Sequence, residues 1–155
     1  MKKCNIEFEY YSLSFNELNI TQQKLVEAAK SATSHSYSPY SHFSVGAAVL
    51  LDNDVIVSGS NQENIAYPSG LCAERTAMFS ANSQYPDSAP VALAIAAYEN
   101  GSFKEQPITP CGACRQVLIE SEQRFNHPIE VILYGEKQTL LIKNVSSLLP
   151  LSFDF

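Results

Sequence analysis

The sequence predicts a single α/β domain in which helices cover both faces of a mixed β-sheet. The main observation is the order of its patterned segments, which run helix, strand, strand, helix, strand, helix, strand, strand. A second observation is size, because 155 residues suffice for one well-buried core and are too few for two ordinary domains. The third is composition: 45% of the residues are hydrophobic and 17% are charged, as in globular chains. We therefore expect residues 1–155 to form one domain.

The first predicted elements are a weak edge strand and an amphipathic helix. Residues 5–11 alternate weakly between charged and apolar side chains, which favours a short strand at a sheet edge. The helix follows in TQQKLVEAAKSATSH, and Asn19 and Thr21 are the candidates for its N-cap. Its apolar stripe is formed by Leu25, Ala28, Ala29 and Ala32.

A hairpin of two buried strands comes next. The segments SVGAAVLL and VIVSGS are apolar runs of strand length, and the turn segment DND separates them. A polar loop, NQENIAYPSG, follows and ends in Gly70.

The second half of the chain alternates helices with buried strands. The predicted helices are CAERTAMFSANS and CGACRQVLIESEQ, and the predicted strands are PVALAIAAY, PIEVILYG and QTLLIKN. A loop, ENGSFKEQPITP, leads into the second of these helices. A short segment, VSSLLP, precedes the terminal LSFDF, whose Phe153 and Phe155 we expect to be buried against another surface.

Charge and hydropathy disfavour two classes of partner, nucleic acids and membranes. The net charge is −6 and the ten basic residues are scattered, whereas a nucleic-acid-binding protein needs a basic face to neutralise phosphates. The longest apolar runs are far too short to span a membrane. The first residues, MKKCNIEFEYY, lack the apolar region of a secretory signal, so we expect a cytoplasmic protein.

Three of the four cysteines predict a metal site. Cys111 and Cys114 are spaced i, i+3 at the start of a predicted helix, so their side chains lie on nearly the same face. Cys72 opens another predicted helix, and a helix N-terminus favours the thiolate over the thiol. Three thiolates suit a tetrahedral zinc ion and leave its fourth position vacant, as in catalytic zinc sites.

The residues alone leave alternatives open. Glu74 follows Cys72 by two positions, and it is either a fourth zinc ligand or a carboxylate that moves protons beside the vacant position. The Cys-x-x-Cys pair is also compatible with a redox motif or with buried cysteines that bind nothing. A redox pair is disfavoured because it should follow a strand, whereas Cys111 follows a long loop.

Four segments together resemble one enzyme family. The motifs CAERTA and PCGACRQ, with PYSHFSVGAAVL and NQENIAYPSG in order before them, are similar to the zinc-dependent cytidine deaminases of pyrimidine salvage. The resemblance is to the small form with a cysteine as first ligand, and it covers about residues 20–153, leaving residues 1–20 as an N-terminal extension. It implies a three-layer α/β/α sandwich with a mixed five-stranded sheet.

The resemblance also implies an activity and a set of catalytic roles. The expected reaction is hydrolysis of cytidine and deoxycytidine to uridine and deoxyuridine, with release of ammonia. One zinc ion is expected on Cys72, Cys111 and Cys114, with Glu74 carrying protons without binding the metal. Arg75 is expected to hydrogen-bond the ligand sulfurs and to offset their negative charge.

Substrate contacts are implied in the same way. Asn61 and Glu63 match positions that hydrogen-bond the ribose hydroxyls, and residues two apart in an extended segment face the same way. Further substrate contacts are assigned to Phe43, Tyr67, Ala73 and Phe153. The match at Phe153 implies a homotetramer in which this ring enters the active site of a neighbouring subunit.

The match has departures, and rival functions remain. Ser44 stands where the family commonly has proline, and the connection from Cys72 to Cys111 is longer than in many members, which leaves the surface near residues 100–107 unexplained. The rivals are a deaminase of another substrate, either a blasticidin-type antibiotic or a nucleic acid, and a zinc-stabilised binding module without activity.

Overall fold

A computed structural model describes residues 1–153, and it contains one mixed sheet between two layers of helices. The three helices are α1 (Ile20–Ala32), α2 (Ala73–Gln84) and α3 (Gly112–Phe125). The strands are β1 (Tyr11–Leu13), β2 (Ser44–Leu51), β3 (Ile56–Ser60), β4 (Pro90–Glu99), β5 (Ser102–Phe103), β6 (Glu130–Leu133) and β7 (Thr139–Ile142). The predicted α/β/α sandwich is confirmed.

The sheet has the strand order β1-β7-β6-β4-β2-β3, and β5 pairs with the end of β4. Among the strands that the structure describes, only β4 and β6 pair in parallel, and the connection between them contains α3. The other described pairs are antiparallel. The sheet is therefore mixed, as predicted.

The strand count corrects the prediction of five strands, because β1 and β5 make seven. β5 arises in the predicted loop, where Asn100 and Gly101 have φ values of 53° and 87° and turn the chain back along β4. Positive φ at both central residues is typical of a tight hairpin turn, which the Asn-Gly pair favours. The N-terminal strand lies later than expected, at Tyr11–Leu13 instead of 5–11.

The first helix begins where one of its two candidate caps predicts. The Asn19 side chain accepts a hydrogen bond from the backbone N–H of Gln22 at 2.9 Å, and the Gln22 side chain accepts one from the N–H of Asn19 at 3.0 Å. This reciprocal pair satisfies two donors that the first turn leaves open. Thr21, the other candidate, lies inside the helix.

Along the central strands, alternate residues pack against the helices on opposite faces of the sheet. One face of the sheet packs against α2 and α3, and its buried strand residues include Val45, Ala47, Val49, Leu93 and Ile95. The other face packs against α1, and its buried strand residues include Ala48, Ala92, Ala94, Ala96 and Ile132. This period of two is what places α1 opposite the other two helices.

Two glycines allow the helices to approach the sheet closely. A Cβ atom on Gly46 would overlap backbone atoms of Ala29 and Thr33 on the α1 side. A Cβ atom on Gly59 would overlap the backbone of Ala77 in α2. The contact at Gly59 seats α2 on β3, and α2 begins at the first candidate metal ligand.

Three aromatic rings from different elements surround Lys30 of α1. The Lys30 ammonium lies 5.6 Å from the ring centroid of Phe15, 5.2 Å from that of Phe103 and 5.1 Å from that of Tyr134. A cation over aromatic rings is attracted by their quadrupoles. Lys30 thus joins the segment before α1, the β5 hairpin and the end of β6.

Two further points concern the termini and membranes. Phe155, which we expected to be buried, lies outside the described residues. Within residues 1–153, none of the helices combines the length and the apolar character needed to span a bilayer.

Candidate metal centre and adjoining cleft

The N-termini of α2 and α3 bring the three predicted cysteines together. Cys72 is the N-cap residue of α2 and Cys111 is the N-cap residue of α3, both with extended backbones. Cys114 lies in the first turn of α3 and is fully buried. Both helix starts therefore direct backbone N–H groups and the positive ends of their dipoles toward the sulfurs.

The sulfur positions fit a tetrahedral zinc ion. The Sγ atoms of Cys72 and Cys111 lie 3.8 Å apart, and those of Cys111 and Cys114 lie 3.4 Å apart. All three sulfurs fall within 4.8 Å of one another. With zinc–sulfur bonds of about 2.3 Å, tetrahedral ligand sulfurs are about 3.8 Å apart, so little movement is needed.

The hydrogen bonds within this cluster favour the thiolate form of Cys72. The pKa of Cys72 is lowered to about 5, chiefly because the Cys114 thiol hydrogen-bonds to its sulfur and also because Arg75 and Cys111 do. The pKa of Cys114 is raised by that same hydrogen bond and by burial. Negative charge is therefore already stabilised at Cys72, as a metal ligand requires.

Glu74 lies beside the cluster but does not belong to it. Among the described residues, the potential ligand atoms that lie within 4.8 Å of one another here are the three sulfurs. Glu74 is 4% exposed, and burial raises the pKa of its carboxyl, with a further contribution from the charge of Cys72. A carboxyl group whose pKa is shifted toward neutrality is suited to proton transfer.

Arg75 contacts the cluster from the next position of α2. Its Nη2 atom donates to the Cys72 sulfur at 3.8 Å, and this contact raises the pKa of the guanidinium. Within the described part of the chain, its buried Nε atom has no hydrogen-bond partner. Arg75 thus lies where its positive charge can offset the negative charge of the thiolates.

A cleft of about 540 Å³ opens beside Cys72 and Arg75. Asn61, Glu63 and Tyr67 line it. The segment that carries Asn61 and Glu63 is held next to Cys72 because Gln62 and Leu71 exchange two backbone hydrogen bonds of 2.9 and 3.0 Å. Three predicted substrate-binding residues therefore share one cavity with Cys72, one of the three candidate metal ligands.

The Asn61 amide shapes the wall of this cleft. Its Oδ1 atom accepts from the backbone N–H of Val45 at 2.8 Å and from the Ser36 hydroxyl at 2.5 Å. Its Nδ2 atom donates to the Phe43 carbonyl at 2.9 Å, and an amide nitrogen carries a second hydrogen that can serve a ligand. Asn61 therefore holds the start of β2 in place as well as lining the cleft.

Glu63 orders the turn on the other side of the cleft. Its carboxylate accepts from the Ser41 hydroxyl at 2.5 Å and from the backbone N–H groups of Tyr40 and Ser41 at 2.9 and 3.3 Å. These hydrogen bonds, that of the Ser41 hydroxyl first, lower the pKa of Glu63. The carboxylate is thus kept ionised and able to accept from ligand hydroxyls. Tyr40 and Ser41 also line the cleft, although their positions in the sequence did not predict a contact there.

The remaining predicted contacts lie around the site in different environments. Phe43 packs against the core, and Ala73 is fully buried at the start of α2. The Tyr67 side chain is 77% exposed. Phe153 is 69% exposed, and its backbone carbonyl accepts a hydrogen bond of 2.9 Å from the Gln116 side chain in α3. The Phe153 ring is therefore not packed into the core of its own chain.

Comparison with known proteins gives a consistent result. Residues 19–126 match the family model described as the cytidine and deoxycytidylate deaminase zinc-binding region. The chain is 42% identical over 131 residues to a cytidine deaminase from Sporosarcina psychrophila, covering 84% of this chain and 90% of that protein. It is 39% identical over 132 residues to a cytidine deaminase from Halalkalibacterium halodurans, covering 85% of this chain and 93% of that protein.

Solved structures agree with these relatives. The crystal structure of cytidine deaminase from Burkholderia pseudomallei superposes with a TM-score of 0.72 at 39% identity, covering 86% of this chain and 100% of that chain. The corresponding structure from Mycobacterium tuberculosis gives a TM-score of 0.69 at 31% identity, covering 88% of this chain and 100% of that chain.

Proposed function

This chain belongs to the cytidine and deoxycytidylate deaminase family, and from this premise we propose which residues carry out the hydrolytic deamination of cytidine. The observation that carries the proposal is a buried carboxyl, Glu74, beside three converging thiols at a cleft. The reaction consumes water and cytidine and yields uridine and ammonia. The reaction needs an activated water, a group that carries protons and a cleft that binds the nucleoside.

Cys72, Cys111 and Cys114 would hold one zinc ion. When bound, zinc acts as a Lewis acid that lowers the pKa of water and so supplies a nucleophile near neutral pH. Arg75, in contact with the Cys72 sulfur, offsets the negative charge that three thiolates concentrate there. Without that compensation the thiolates would weaken the electrophilic character of the site.

Glu74 carries the protons of the reaction. It accepts a proton from the attacking water and gives it to N3 of the cytosine ring. It then accepts the second proton of the former water and gives it to the amine at C4, which leaves as ammonia. One carboxylate suffices because each proton that it accepts is donated again, and a pKa raised by burial strengthens Glu74 as the proton acceptor.

The cleft binds the nucleoside. Asn61 offers an amide donor and Glu63 an ionised acceptor to the ribose hydroxyls. Deoxycytidine keeps the 3′-hydroxyl, so both nucleosides are expected substrates. Further contacts to the nucleoside are assigned to Phe43, Tyr67 and Ala73. A cavity of about 540 Å³ is of the size that accommodates small ligands.

The active unit is proposed to be a homotetramer with shared sites. Phe153 is 69% exposed in the single chain, and a neighbouring subunit's cleft would bury its ring against the base. A net charge of −6 disfavours nucleic acid as a partner. We also propose a cytoplasmic location, because a reducing compartment preserves the three thiols.

The test is a steady-state assay of ammonia release, with zinc measured on the same sample. Cytidine and deoxycytidine should both be deaminated by protein that carries one zinc per chain. Activity confined to blasticidin S or to an RNA hairpin would replace the proposal with one of the rival deaminases. A zinc-loaded protein that deaminates none of these would indicate a binding module.

A further inference from the structure

Of the three thiol ligands, Cys111 has the least support from packing. Cys114 is fully buried, and Cys72 is half-buried and contacted by the Arg75 guanidinium at 3.8 Å. Cys111 is exposed, so a packed core does not hold its side chain. Apart from its contacts with the other two sulfurs, the position of its sulfur depends on its own backbone, that is, on the two peptide groups that flank its Cα atom.

Arg115 binds both of those peptide groups. Its backbone N–H donates to the Cys111 carbonyl at 2.9 Å, which is the first helical hydrogen bond of α3. Its side-chain Nε atom folds back and donates to the Pro110 carbonyl at 2.8 Å. Because each peptide group is planar, holding the two carbonyl oxygens fixes the planes before and after Cys111.

The Arg115 guanidinium is itself anchored. Its Nη1 atom donates at 2.7 Å to the carbonyl of Leu148, a residue that is only 7% exposed in a short 3₁₀ turn. Two donors of one planar group thus reach two carbonyls at a fixed separation. A lysine ammonium has no such planar fork and cannot reproduce the pair.

We infer that Arg115 is a positioning residue that fixes the metal ligand Cys111 through the Pro110–Cys111 peptide group. The inference deepens the proposed function and rests on it, since it requires that the three cysteines bind zinc. Arg115 acts on the metal only through the backbone. Substitution of Arg115 should therefore change the affinity for the metal and its coordination geometry more directly than it changes substrate binding.

Cobalt(II) binding to the full-length protein tests this directly, because cobalt replaces zinc in thiolate sites and its absorption reports ligand geometry. Affinity would be measured by competition with a chromogenic chelator. In Arg115→Ala we expect the cobalt dissociation constant to rise by about 10–100-fold, with a shifted thiolate absorption band. Arg115→Lys should fall between that variant and the unsubstituted protein.

Arg124→Ala is the matched control. Arg124 lies in the same helix, carries the same charge and donates at 2.8 Å to another proline carbonyl, that of Pro86, away from the cysteines. This variant should bind cobalt as the unsubstituted protein does. If it weakens binding as much as Arg115→Ala does, the effect is one of helix charge or stability and the inference is wrong.

Circular dichroism on each sample separates misfolding from mispositioning. If Arg115→Ala does not fold, folded Arg115→Lys carries the test, and we expect its cobalt dissociation constant to rise severalfold. Native affinity and an unshifted band in the folded Arg115 variants would overturn the inference while leaving the proposed function intact. Failure of the unsubstituted protein to bind cobalt or zinc would overturn both.

Discussion

Glu74 combines two properties that are rarely found in one carboxyl group: deep burial and proximity to thiolates. Both raise its pKa, burial more than the neighbouring charge. A buried carboxyl with a raised pKa accepts a proton more readily than an exposed one, as the proposed role of Glu74 requires.

Replacing Glu74 by Gln tests this role. The amide has a similar shape but cannot carry protons, so kcat should fall by at least about 10³-fold, within the range of acid–base catalysis. Zinc content, measured by elemental analysis, should remain one per chain, and the far-UV spectrum should not change. Loss of the metal in this variant would instead identify Glu74 as a ligand.

The second residue-scale prediction concerns the charge on the ligand sulfurs. Arg75→Ala should bind zinc about 10–100-fold more weakly, because the cation that contacts Cys72 is lost. Arg75→Lys keeps a positive charge but loses the planar guanidinium, so it should recover part of the affinity. If zinc affinity and turnover are both unchanged in Arg75→Ala, the residue has no part in the site.

At the scale of elements, one carboxylate ties α3 to two other segments. The Glu122 side chain accepts from the backbone N–H of Ile129 at 2.9 Å, just before β6. It also accepts from the N–H groups of Val145 and Ser146 at 2.9 and 3.2 Å, at the start of the 3₁₀ turn. This turn holds the Leu148 carbonyl that anchors Arg115. The orientation of α3, and with it two metal ligands, thus depends on Glu122.

Glu122→Ala should lower the free energy of unfolding by about 2–4 kcal/mol, because three backbone donors lose a charged acceptor. Chemical denaturation followed by circular dichroism measures the change. Glu120→Ala is the control, since Glu120 is exposed on the same helix, and it should change stability by less than about 0.5 kcal/mol. Equal effects of the two substitutions would refute the role of Glu122.

At the scale of the whole molecule, the exposed aromatic near the C-terminus is the basis for the proposed assembly. Phe153 is 69% exposed, and its carbonyl is held by Gln116 on α3, the helix that carries two of the metal ligands. The tail is thereby held against α3 of its own chain at Phe153, while this residue remains largely exposed. That arrangement is compatible with a ring that serves a neighbouring subunit.

Truncation after Pro150 should raise KM severalfold while zinc content stays at one per chain. The expected cause is loss of stacking and of water exclusion at the neighbouring site. Full-length Phe153→Ala should show the same rise in KM, which separates the ring from the rest of the tail. A tail that only supports its own chain would instead lower thermal stability and leave KM unchanged, and light scattering that finds a fully active monomer would exclude shared sites.

Local patterns in the sequence determine the order of the elements and several local features of this protein. The element order follows from apolar periodicity, and the capping residue Asn19 acts on a donor three positions away. Cys111 and Cys114 converge because an i, i+3 spacing at a helix start leaves them little alternative. The β5 hairpin was missed although its signal is local, since Asn100-Gly101 is a turn pair and Tyr98 and Phe103 beside it are strand formers.

Only the tertiary structure decided how distant parts meet at the site. Cys72 and Cys111 are 39 positions apart, Glu63 and the Tyr40 N–H that it accepts from are 23 apart, and Arg115 and Leu148 are 33 apart. No spacing rule connects such pairs, because their contacts depend on strand order and on which helix ends lie side by side. Those features result from the packing of the whole core, whose stability is the sum of many small contributions from buried contacts. The sequence could therefore identify the three cysteines that converge, whereas the cleft beside Cys72 and the hydrogen bonds of Arg115 to the backbone around Cys111 emerged only from the fold.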